Sequence, residues 1–95
     1  MIFIKFSEIV KTVRVLDTDI DGNEEFCAVT DEYSKSSEKI PFIAQKGEKC
    51  DGNGFIAEAR ELGSVIITDV PSMATGKRFV LVDDCRRTEA IMQSN

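Results

Sequence analysis

Histidine is absent from this chain of 95 residues. That removes the commonest zinc ligand, and it leaves a cysteine nucleophile without its usual activating base. The three cysteines, Cys27, Cys50 and Cys85, are odd in number, widely spaced and contain no CxxC pair. A reduced compartment fits them better than a disulfide framework. Cys27 and Cys85 read as small packing residues, and Cys50 falls in a polar loop. No cluster of Lys and Arg occurs, and the formal charge is -5 with a pI near 4.7. Nucleic acid and anionic membrane surfaces both require a concentrated positive face, so neither is expected as a partner, although one bound diphosphate is compatible with this charge. No apolar run reaches the length of a membrane span. The opening MIFIKFSEIV is too short, and Glu8 comes too early, for a secretory signal. A cytoplasmic protein is expected.

Two tempting motifs also fail. PSMATGK ends in Gly-Lys but lacks the preceding glycine and the following Ser/Thr of a phosphate-binding loop, so ATP binding has no support here. Asp17, Asp19, Asp21 and Gly22 imitate the start of an EF-hand loop. Ala28 stands where the bidentate glutamate belongs, Glu24 where an apolar residue belongs, and FCAVT reads as a strand and not a helix. A solvated turn built on Asp21, Gly22 and Asn23 is the plainer interpretation, with weak calcium binding as the alternative.

What is present is a complete unit over residues 40–69. Ile40, Phe42, Ile43 and Ala44 have strand length, and the loop KGEKCDGNG follows. Phe55, Ile56, Ala59 and Leu62 fall at helical spacing and Gly63 is placed to stop the helix. SVIIT then reads as a strand buried on both faces of a parallel sheet. In such a β-loop-α-β unit the loop leaving the carboxyl end of a strand is the usual ligand position. Gly47 and Gly52 could let backbone approach a ligand, and the amides opening the Phe55 helix could face an anion. The same glycines could equally serve to turn the chain. Asp51 could cap that helix.

Around this unit, Ser7 is placed to cap a short helix with Ile9, Val10 and Val13 as its apolar stripe, and residues 26–30 read as a core strand. TDEYSKSSEK is a polar loop and a second candidate binding edge. RFVLV reads as another buried strand, and Asp83 or Asp84 caps a last helix through Cys85, Thr88, Ile91 and Met92. That helix meets no recognisable stop, so a piece of a longer chain is expected. The whole is read as one α/β domain over residues 1–95, a small mixed sheet flanked by helices.

The order of these elements resembles the amino-terminal domain of the Mur ligases, which build the peptide of peptidoglycan precursors. The likeness is to the UDP-N-acetylmuramoyl-tripeptide synthetase branch. TDEYS matches its Thr-x-Asp-Ser-Arg segment, FIA its Phe-x-Ala strand, and GEKCDGN its Gly-x-x-x-Asp-Gly-His loop. Phe55-Ile56 with Ala59 matches its Phe-Ile-x-x-Ala helix, Gly63-Ser64 its Gly-Ala step, and VDDCR its Val-x-Asp-x-Arg. Glu32, Tyr33 and Ser34 replace the family's aspartate, serine and arginine, and Asn53 its histidine.

The resemblance implies a module that holds the uridine diphosphate end of UDP-N-acetylmuramoyl-peptide. Thr30, Glu32, Tyr33 and Ser34 would form one side, and Gly47, Glu48, Lys49, Cys50, Asp51, Gly52 and Asn53 the other. Tyr33 could stack on uracil and Lys49 meet a diphosphate oxygen. No catalytic residue, metal or cofactor is expected in this domain. ATP and magnesium would belong to an ATPase domain of the parent chain, where the substrate carboxylate is phosphorylated before amide formation. The alternative, raised by the changed Tyr33-Ser34 pair, is a free-standing interaction or regulatory domain that kept the fold and lost nucleotide binding.

Overall fold

The computed structural model describes residues 3–45 and 52–93. In chain order the elements are β1 (Ile4–Lys5), α1 (Phe6–Ile9), β2 (Val15–Thr18), β3 (Glu25–Phe26), β4 (Phe42–Ile43), α2 (Ile56–Glu61), β5 (Ile66–Thr68), β6 (Phe79–Val82) and α3 (Cys85–Gln93). The main sheet has the order β2-β6-β5-β4, with β4, β5 and β6 parallel and β2 antiparallel to β6. β1 and β3 form a separate antiparallel ribbon. The chain is thus a small mixed α/β domain with three helices among its described residues.

Side chains of successive strand residues point to opposite faces, and the core divides accordingly. Ile43, Val65, Ile67, Val80 and Val82 pack on one face with Phe6, Ile9, Val13, Phe26 and Cys85. Phe42, Ala44 and Ile66 pack on the other with Ile56 and Ala59 of α2. β5 is buried on both faces, as its β-branched run predicts. Gly63 ends α2 at φ +77°, where its amide is donated to Arg60 O and that of Ser64 to Ala59 O. Asp84 caps α3, accepting the Arg87 amide at 3.1 Å.

Three elements differ from expectation. α1 begins at Phe6 with no side-chain cap, and Ile9 and Val13 are buried while Val10 is 42% exposed. The strand expected over residues 26–30 stops at Phe26, because the chain leaves the ribbon there. The Cys27 amide turns to Lys39 O and that of Thr30 to Pro41 O, so Thr30 rejoins as a parallel bridge beside Phe42. α2 starts after a 3-10 turn at Gly52–Phe55, with Phe55 and Leu62 exposed rather than in the packed stripe.

The aspartates of the EF-hand-like stretch serve the backbone. Asp17 accepts the Thr18 amide, Asp21 the Asn23 amide, and Asp19 the amides of Arg78 and Phe79 at 2.8 and 2.9 Å. The last pair fixes the start of β6, where Arg78 adopts a left-handed φ of +60° and pairs with Glu24 at 3.0 Å. Such a backbone is uncommon for a residue with a side chain and needs these contacts to hold it. No helix of the described residues is long and apolar enough to cross a membrane.

Candidate functional site

The candidate site is the carboxyl end of the parallel strands, where β4, β5, β6 and the Thr30 bridge all release the chain. Thr30 Oγ1 accepts the Glu32 amide at 3.1 Å, a side-chain turn that bends the polar loop away from the sheet. Tyr33–Lys35 then forms a 3-10 turn. Ser36 Oγ donates to Tyr33 O at 2.6 Å, and Ser64 Oγ, at the entry to β5, donates to Ser36 Oγ at 2.7 Å. Both serines are buried, so this pair ties the turn to the sheet. Glu32 and Lys35 pair at 3.3 Å in solvent, where the attraction is weak. Ser34 is exposed.

On the other side, Gln45 marks the exit of β4 and Gly52 the return of the loop. The Gly52 amide donates to Gln45 O at 2.7 Å. A Cβ on Gly52 would lie 2.7 Å from that oxygen and 2.9 Å from Gln45 N. The missing side chain therefore accommodates the chain's own backbone, which is what the sequence left open between ligand approach and turning. This amide is also already committed, so it is not free to face an anion. Asn53 lies in the turn that follows. Gly47, Glu48, Lys49, Cys50 and Asp51 lie outside the described residues.

The polar loop meets the turn that follows the predicted glycine loop: Tyr33 stacks on Phe55 with centroids 5.1 Å apart and an interplanar angle of 13°. Tyr33 also packs on the cluster of Phe42, Ala44, Ile56, Ala59 and Ile66. Sequence reasoning assigned Phe55 to the packed stripe of α2 and missed this role. Its position directly after the glycine loop was the available signal.

The sheet end is acidic. Gln45, Asp69, Asp84, Cys85 and Arg86 line a depression of about 270 Å³. Asp69 accepts the Cys85 amide at 3.1 Å, so it acts with Asp84 at the start of α3. Burial, with the Asp69 charge adding to it, pushes the Cys85 thiol up to about 12, which leaves it an inert packing group at neutral pH. Gln45 Nε2 donates to Glu89 Oε1 at 2.7 Å, linking the root of the loop to α3. Glu89 Oε2 is buried without a hydrogen-bond partner among the described residues. Burial and then the charge of Asp31 raise the Glu89 carboxyl above its ordinary value. Among the described residues no group of His, Cys, Asp and Glu is arranged to hold a metal ion.

No family model matches this chain, and no curated protein matches it.

Proposed function

We propose that this chain is the module that holds the UDP end of UDP-N-acetylmuramoyl-peptide for an ATP-dependent amino-acid ligase of peptidoglycan precursor synthesis. Its fold is then that of a Mur ligase amino-terminal domain, its place the cytoplasm, and its companion an ATPase domain supplying ATP and magnesium. The observation that carries this reading is convergence. The segment with Thr30, Glu32, Tyr33 and Ser34 and the turn closing the glycine loop leave the same end of the sheet, and they touch through Tyr33 and Phe55. In open α/β sheets that end is where ligands bind. Lys49 would supply the positive charge for a diphosphate oxygen.

One domain offers part of a site, so affinity should be weak, with a dissociation constant on the order of 1 mM, or roughly -4 kcal/mol. An amide-shift titration with UDP-N-acetylmuramoyl-dipeptide, with UMP alongside and calcium as a control, should move signals over residues 30–34 and 47–53. Lys49→Ala should weaken binding while leaving the domain folded. Absence of shifts at millimolar ligand overturns the reading.

A second reading has its own support. Among the described residues, Asp69 and Asp84 line the depression with Arg86 as its one basic residue, Glu89 bonds Gln45 at its edge, and the charge of Asp31 reaches Glu89. Such a field repels a diphosphate. A domain that kept the fold and turned to interaction or regulation would carry this charge without cost, and the same titration would then show no response to UMP.

A further inference from the structure

We propose that Phe55, backed by Tyr33, is the plate on which the pyrimidine base of the ligand lies, an assignment that rests on the uridine reading above. A lone exposed phenylalanine needs no explanation. This one is held differently. Tyr33 packs inward on Phe42, Ala44, Ile56, Ala59 and Ile66, and Phe55 lies nearly parallel to it with 36% of its surface exposed. Tyr33 is therefore the inner ring, packed on the buried cluster, and Phe55 the more exposed one. Tyr33 has one face given to Phe55, so the ring available to a base is Phe55 and not Tyr33.

Both rings stand on braced turns. The Ser64–Ser36–Tyr33 hydrogen-bond chain holds the first, at 2.7 and 2.6 Å. The second is held by the Gly52 amide on Gln45 O at 2.7 Å, with no room there for a Cβ. A plate fixed before the ligand arrives loses little freedom on binding, which is the condition under which one stacking contact contributes measurable affinity. Stacking accepts any planar base and needs no positive charge, so it also explains how a uridine could be gripped at so acidic an edge.

The chain contains no tryptophan, so Phe55→Trp installs a single indole reporter. UMP should quench its fluorescence over the range in which the amide shifts saturate, and ribose 5-phosphate, which lacks the base, should not. Phe55→Leu should weaken UMP binding by about tenfold while its amide spectrum stays that of a folded domain. Leu62→Ala, on the exposed side of α2, should bind as the unaltered protein does. If Phe55→Leu binds UMP as tightly as the unaltered chain, or if UMP leaves the indole of Phe55→Trp unquenched while the amides shift, the plate is wrong and the uridine reading survives. If the unaltered chain fails to bind UMP at millimolar concentration, both fall together.

Discussion

The two faces of the sheet are built to different purposes. Among the described residues, one carries ten buried residues, including Phe6, Val13, Phe26, Ile67 and Val82, gathered from the ribbon, α1, three strands and α3. The other carries Phe42, Ala44, Ile56, Ala59 and Ile66 under the short helix α2, with Tyr33 and Met73 at its margin. Ala44 and Ala59 are both fully buried, and such small side chains let α2 lie close against the strands. The first face removes far more apolar surface from water, so most of the stability resides there. The thin face has less to hold it together, yet it supports the stacked rings and the root of the glycine loop. The binding surface proposed above would thus stand on the minor layer, with the opposite layer holding the sheet.

The largest expected effect tests that division directly. Ile67→Ala, on the thick face, should lose stability toward the upper end of about 2–5 kcal/mol, and Ile56→Ala, on the thin face, toward the lower end. Urea denaturation of both variants measures this, and equal losses would abolish the asymmetry. Gly52→Ala comes next. Its new Cβ would sit 2.7 Å from Gln45 O and 2.9 Å from Gln45 N, both backbone atoms that cannot rotate away. A loss of about 1–3 kcal/mol is expected, with amide shifts confined to Ala44, Gln45 and the turn Gly52–Phe55. Shifts spreading to Val80 and Val82 would mean the two faces are mechanically one.

Legibility in the sequence followed locality. β5 and β6, the stop at Gly63 and an aspartate cap on α3, left open between Asp83 and Asp84, were readable because each rests on residues close in sequence: a β-branched run, a positive φ, a carboxylate beside its own helix. The short β3 was not, because Phe26 ends its pairing when Cys27 and Thr30 take acceptors at Lys39 and Pro41, and no periodicity encodes that change of partner. α2 was placed correctly, but its stripe was drawn one residue too far at each end. Phe55 turns to Tyr33, and Leu62 is 48% exposed. Within the candidate site, the segment at Thr30 and the turn at Gly52 were found by pattern. The link from Gln45 to Glu89 joins residues 44 apart in sequence and has no local signature.

That link gives the smallest effect and the one whose sign is most informative. Glu89 sits where burial, and then the negative charge of Asp31, hold its carboxyl above the ordinary value of 4.5. The folded state therefore keeps a proton that the unfolded chain has released, and in that window the folded state binds more protons than the unfolded one. Stability must then fall as pH rises from 4.5 through the raised value, and return as pH falls. Asp83 moves the opposite way, since Arg87 beside it lowers its carboxyl below 3.8, so its contribution is lost only at more acidic pH and does not overlap. Glu89→Gln retains an oxygen to accept from Gln45 Nε2 and cannot titrate. Its melting temperature should be flat across the window in which that of the unaltered protein declines. Identical profiles would mean that Glu89 is hydrated like any surface carboxylate and that the link from Gln45 to α3 is open to water.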